Sequence, residues 1–174
     1  KFQELLVRWF EYGTFCPVMR LHGYRWPLQP QYGTTGGATC VSGAPNEVWS
    51  YTDQVCEILS DYLRLRERML PCITELMEEA HEKGTPVMRP LFYDFPEDKE
   101  SWNVETEYMF GPKVLVKPIT DADARETDVY LPGGASWTNA WTGETFEGGQ
   151  KVHVAAPIEQ IPLFTRDGYK LPMK

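Results

Sequence analysis

Arg20-Leu21-His22-Gly23 is the stretch whose residue types and spacing could do chemistry. A neutral imidazole donates one hydrogen bond and accepts another near pH 7, so His22 can grip ligand hydroxyls such as those of a sugar. Arg20 lies two positions earlier, and alternate side chains of an extended chain point to one face. Arg20 therefore reads either as a second ligand contact or as half of a buried ion pair. The remaining histidines are weaker candidates. His81 lies near the end of a helical pattern, where its charge would suit the helix dipole, and His153 lies in a strand-like run. No group of His, Cys, Asp and Glu has metal-ligand spacing. No GxSxG, P-loop or dinucleotide fingerprint occurs. Neither a metal nor a cofactor is expected. Asp94, Asp98, Asp121, Asp123 and Asp128 fall in turn-like stretches, where short polar side chains serve the backbone. Glu47 and Asp53 suit the start of a helix.

The elements that must position Arg20 and His22 can be read from periodicity. Residues from Phe2 to Tyr12 have a helical pattern, with Leu5, Leu6, Trp9 and Phe10 as its apolar stripe and Gly13 as its stop. Phe15 to Leu21 is a short apolar run and reads as a buried strand, with Arg20 and His22 at its C-terminal end. In a parallel barrel, that end is where functional residues collect. Tyr24 to Pro45 is a long loop. Ser50 to Asp53 fits a capping box, and Val55, Ile58, Leu59, Tyr62, Leu63 and Met69 recur at helical spacing. Pro71 should break or kink this helix. The pattern resumes at Ile73 and ends at Gly84.

After Gly84 the pattern changes to short strands separated by turn signals: Val87 to Phe95, Tyr108 to Phe110, Lys113 to Pro118, Thr127 to Leu131, Trp137 to Trp141, Lys151 to Val154 and Ile161 to Phe164. This spacing predicts an antiparallel β-sandwich. A single buried strand between two helices cannot cover both its faces, so its neighbours must come from further chain. The fold class expected is an α+β portion: the last helix-strand-helix of a (β/α)8 barrel followed by the sandwich.

Composition narrows the function classes. The chain has 174 residues, 42% of them hydrophobic, and a net charge of -8, so it can form a real core and is not disordered. An acidic chain without a basic stripe does not suit nucleic acid. Arg64, Arg66 and Arg68 would spread over different faces of the helix. No run reaches the roughly 20 apolar residues of a membrane span, and no charged-then-apolar leader pattern is visible. Cys56 and Cys72 would stand roughly 24 Å apart on one helix, too far for a disulfide. Together with Cys16 and Cys40 they read as buried free thiols. That leans toward a reducing, cytoplasmic compartment.

Several motifs then form an ordered series. They are Glu4-Leu5-Leu6-Val7-Arg8-Trp9-Phe10, Phe15-Cys16-Pro17-Val18-Met19-Arg20-Leu21-His22-Gly23, Asn46-Glu47-Val48-Trp49, Leu65-Arg66-Glu67-Arg68-Met69-Leu70-Pro71 and Arg89-Pro90-Leu91-Phe92-Tyr93-Asp94-Phe95-Pro96. Tyr108-Met109-Phe110-Gly111-Pro112 and Tyr130-Leu131-Pro132 with Trp137 follow. The series resembles glycoside hydrolase family 31 over nearly the whole chain.

The resemblance implies a retaining α-glycosidase, chiefly an α-xylosidase or α-glucosidase. Residues 1–84 would supply the end of its catalytic barrel and residues 85–174 the proximal C-terminal β-sandwich. It also implies that His22 binds the sugar in the −1 subsite, with Arg20 in a supporting role. The Arg-Leu-His-Gly form leans toward the xylosidases. The family's nucleophile and acid/base aspartates lie upstream, and neither of their motifs is present. A retaining mechanism needs two carboxyl groups about 5 Å apart, so the isolated chain is predicted inactive. The implied partners are an α-linked oligosaccharide and the rest of the barrel, with no nucleic acid and no membrane. Exposed barrel surface would favour self-association. The alternatives are a carbohydrate-binding module with Trp102, Trp137 and Trp141 as platforms, or a separate chain that completes a barrel.

Overall fold

The computed structural model describes residues 1–21 and 25–173. Helix α1 spans Phe2–Thr14 and helix α2 spans Asp53–Lys83. Between them lie two 3-10 turns, Gly36–Thr39 and Val48–Ser50, and one bridge between Gln29 and Ser42. After α2 come β1 (Met88–Arg89), the short helix α3 (Leu91–Asp94), β2 (Tyr108–Phe110), β3 (Val114–Val116), β4 (Glu126–Leu131), β5 (Ser136–Asn139), β6 (Thr145–Glu147), β7 (Gln150–Ala155) and β8 (Leu163–Arg166).

Helix α2 is the element its periodicity describes best. Val55, Ile58, Leu59, Tyr62, Leu65, Met69, Ile73 and Leu76 are its buried face. The N-cap is Thr52, whose hydroxyl accepts from the Val55 backbone N–H, and not Ser50, which belongs to the preceding 3-10 turn. Gly84 closes the helix in a left-handed conformation, which glycine adopts without steric cost. The helix runs through Pro71 unbroken. Pro71 is exposed, as is Glu67, whose carbonyl the missing N–H would have paired. Water can satisfy that carbonyl, so the cost of the proline is partly relieved.

Helix α1 turns a different face inward from the one its apolar residues suggest. Val7, Arg8, Phe10, Glu11 and Thr14 are buried, whereas Leu5 and Trp9 point outward, Trp9 with 64% of its surface exposed. The expected buried strand from Phe15 to Leu21 does not form. Residues 15–18 are a turn and bends, and 19–21 have no regular structure. A parallel strand needs hydrogen-bonded neighbours, and no described strand lies beside this segment.

Two antiparallel sheets follow, as the turn spacing suggests. One has six strands in the order β1-β2-β3-β8-β5-β6, and the other pairs β4 with β7. The run from Val87 to Phe95 is not one strand: it holds β1 and then α3. Strand β3 carries the central division of the molecule. Val114 and Val116 pack into a core shared with Phe10, Phe15 and the buried face of α2, while Leu115 packs into a second core against Val129, Leu131, Val152 and Val154. Alternate side chains of a strand point to opposite faces, so helices, six-stranded sheet and two-stranded sheet form three layers. Burying each large apolar side chain contributes about 1.5–3 kcal/mol.

Candidate functional site

The two residues singled out by chemistry fare differently. Arg20 is exposed, on a segment without regular structure. His22 lies outside the described residues. The alternation along a strand that would pair them is therefore not part of the described structure.

What positions the approach to Arg20 is a clamp on the chain leaving α1. Arg66, on α2, donates from Nη1 to the carbonyls of Thr14 and Cys16, both at 2.7 Å, and from Nη2 to that of Pro17 at 3.0 Å. The Gly13 carbonyl is within 3.5 Å of Nη1. Tyr108 Oη on β2 donates to the intervening Phe15 carbonyl at 2.9 Å. The last carbonyls of a helix have no partner within the helix and carry partial negative charge. Helix α1 has no basic residue in its last turn, so Arg66 supplies that cation from across the helix pair. Met19 then packs against the helical core. Arg20 follows directly.

A second polar cluster joins α1 to the β-domain. Arg8 is buried and donates to Glu11 Oε2 at 3.0 Å, to the carbonyls of Pro157 and Gln160 at 3.1 and 3.2 Å, and to those of Ala124 and Ala156 at 3.2 and 2.7 Å. Tyr62 Oη donates toward Glu11 Oε1, with the Glu159 carbonyl equally near at 3.1 Å. The same oxygen accepts from the Ile161 N–H at 3.0 Å.

Two carboxyls have the raised pKa that suits proton transfer, and both are buried and held by partners within the fold. Burial lifts Glu11 to about 7 against the pull of Arg8 and the Tyr62 hydroxyl, but Glu11 has no exposed surface. Burial also lifts Glu107 to about 7, against hydrogen bonds from the Tyr130 N–H and the charge of Lys117. Its two oxygens face that N–H at 3.0 and 3.2 Å. Both are built into the fold.

The aspartates also serve structure. Asp94 pairs with Arg89 at 3.0 Å. Asp98 caps the 3-10 turn Lys99–Trp102 and accepts from Tyr130 Oη and the Gly133 N–H. The tryptophans do not form one platform. Trp137 is completely buried. Trp141 donates its indole N–H to the Ile161 carbonyl. Trp102 is exposed but has one face stacked on Phe92 at 4.5 Å. Among the described residues, no group of three or more His, Cys, Asp or Glu could hold a metal ion, and no helix is long and apolar enough to cross a membrane. All four cysteines are free, but none is fully buried: Cys16, Cys56 and Cys72 are half-buried, and Cys40, after the loop turn Gly36–Thr39, is exposed.

Residue spacing could have found part of the missed machinery. Arg8 and Glu11 sit three apart on the same face as Val7, Phe10 and Thr14, and Arg66 falls four after Tyr62. A charged residue within a buried stripe needs a partner. The partners themselves are backbone carbonyls far along the chain, which no side-chain pattern announces.

Two family models match the chain. The glycosyl hydrolases family 31 TIM-barrel domain matches residues 1–76, and the glycosyl hydrolase family 31 C-terminal domain matches residues 84–171. An alpha-xylosidase of Saccharolobus solfataricus is 36% identical over 172 residues, which are 99% of this chain and 21% of that protein. Alpha-glucosidase 2 of Bacillus thermoamyloliquefaciens is also 36% identical, over 95% of this chain and 19% of its own length. Among solved structures, a family 31 alpha-xylosidase from a soil metagenome, complexed with xylose, is 46% identical with a TM-score of 0.91, over 98% of this chain and 25% of that one. The chain thus spans about a fifth to a quarter of these three proteins. With both models placed in order along nearly its whole length, the chain belongs to glycoside hydrolase family 31.

Proposed function

We propose that the chain is the C-terminal end of the catalytic barrel and the adjoining β-domain of a retaining α-glycosidase that removes terminal α-linked xylose or glucose. The observation that carries this reading is the 46% identity and TM-score of 0.91 to an alpha-xylosidase complexed with xylose. That likeness favours xylose over glucose, as does the Arg20-Leu21-His22-Gly23 motif. His22 grips the sugar in the −1 subsite, and Arg20 supports it. Residues 1–84 serve the barrel and residues 85–174 form the β-domain. The outward apolar face of α1, with Leu5 and Trp9, and that of α2, with Leu63, Leu70 and Met77, pack on the rest of the barrel in the longer enzyme. In the isolated chain the same faces drive self-association.

The mechanism requires one carboxylate to attack the anomeric carbon while a second carboxylic acid protonates the leaving oxygen. Glu11 and Glu107 are sealed in the fold, so neither meets that need here. The attacking and protonating groups come from further chain, and the isolated chain is inactive. The test compares hydrolysis of aryl α-xyloside and aryl α-glucoside by the longer enzyme and by this chain alone. Activity in the longer enzyme only, better on xyloside, is the expected result. Turnover by the pure isolated chain would sink the reading, and so would a longer enzyme that cleaves neither.

A further inference from the structure

We infer that Arg66 is a positioning residue for the sugar-binding segment: its guanidinium, with the Tyr108 hydroxyl, fixes residues 14–17, which precede Arg20 and His22 in the sequence. The inference rests on the reading above that His22 contacts the sugar.

Three features support it. Arg66 reaches three consecutive or near-consecutive carbonyls, those of Thr14, Cys16 and Pro17, at 2.7, 2.7 and 3.0 Å. Tyr108 takes the Phe15 carbonyl that Arg66 skips, at 2.9 Å. The two donors come from different elements, α2 and β2, so the segment is tied to both the helical layer and the sheet. Among the described residues the segment has no strand partners, and Arg66 and Tyr108 are the side-chain donors that hold its carbonyls. A planar guanidinium with five N–H groups can serve several acceptors in fixed directions, which a lysine ammonium cannot reproduce. Beyond Pro17, the Met19 side chain packed in the core is the last anchor before Arg20. A sugar contact displaced by about 1 Å can lower turnover on the order of 10²-fold.

The test uses the longer enzyme with the variants Arg66→Lys, Tyr108→Phe, His22→Ala and the double variant Arg66→Lys/His22→Ala, assayed on aryl α-xyloside, with KM and kcat separated. For Arg66→Lys we expect a KM raised about 10-fold and kcat/KM lowered on the order of 10²-fold, in protein whose thermal unfolding profile matches that of the parent enzyme. Tyr108→Phe should shift KM the same way but less, about 3-fold, as one neutral hydrogen bond is lost. The double variant should be no worse than His22→Ala alone, because Arg66 acts through the segment that carries His22. Full kcat/KM in Arg66→Lys, or a loss that simply multiplies with that of His22→Ala, would overturn the positioning role. If Arg66→Lys fails to fold, unchanged KM in Tyr108→Phe overturns it. Full activity in His22→Ala would instead overturn the reading on which the inference rests.

Discussion

Replacing Arg8 by methionine tests whether one buried guanidinium joins α1 to the β-domain. Methionine keeps much of the side-chain length but none of the donors. Breaking a buried ion pair from one side costs about 3–5 kcal/mol. The buried Ala156 carbonyl, now without its 2.7 Å donor, adds about 1–3 kcal/mol. The other carbonyls are partly buried and can recruit water. The expected loss is therefore about 4–8 kcal/mol at pH 8.5, a large share of the 5–15 kcal/mol that stabilises a typical domain. The loss should depend on pH with a definite sign. Glu11 has a folded pKa of about 7, above its ordinary 4.5. Folding therefore binds a proton between these values, and its contribution to stability declines as pH rises through that window. Without Arg8 the folded value climbs higher still. At pH 5.5 Glu11 is neutral in both proteins, so the variant should lose about 1–2 kcal/mol less there than at pH 8.5. Urea unfolding followed by tryptophan fluorescence at the two pH values measures both quantities. A loss below about 1 kcal/mol, or an equal loss at both pH values, would refute the assigned role of this pair.

Three further outcomes are expected. Tyr62→Phe leaves the Ile161 N–H without the acceptor it has at 3.0 Å and should cost about 2–3 kcal/mol, read as a shift in urea midpoint with unchanged slope. Gly148→Ala places a Cβ 2.0 Å from the Pro132 carbonyl oxygen. Both sides of that contact are backbone, so the variant should lose about 3 kcal/mol or more; wild-type thermal stability would show that the turn is loose. Glu107 is lifted to about 7 from 4.5, so its contribution to stability declines between those pH values by about 3 kcal/mol. Glu107→Gln should flatten that part of the stability profile, and an unchanged slope would mean that Glu107 does not titrate there.

The helical and sheet content was legible where burial repeats with the period of the element. Val55 to Leu76 marks α2 because one face meets one core, and Lys151 to Val154 marks β7 for the same reason, with Val152 and Val154 buried and His153 exposed between them. Phe15 to Leu21 misled because apolar content alone suggests a strand, whereas a strand exists only beside its neighbours. Leu5 and Trp9 misled in the same way, since both stay exposed, Trp9 in an edge-on contact with Tyr12. At the candidate site, Arg20 and His22 stand out from residue types alone, and the described structure adds only that Arg20 is exposed. The clamp could not, because Arg66 and Tyr108 bind carbonyls, and every residue carries a carbonyl.

The Arg8 cluster also sets a timetable for biosynthesis. Its acceptors at Ala156, Pro157 and Gln160 lie 148, 149 and 152 positions downstream. At about 5–20 residues per second, they emerge roughly 8–30 s after Arg8 itself. Throughout that interval Arg8 has only Glu11 of its own helix as a partner and, once residue 124 has emerged, the Ala124 carbonyl, while the apolar face of α1 waits for a sheet that is not yet complete. Long-range closure of this kind slows folding and leaves intermediates sticky. The connection between β7 and β8 is therefore what completes the setting of α1, and a nascent chain stalled before residue 156 should depend on chaperones until translation resumes.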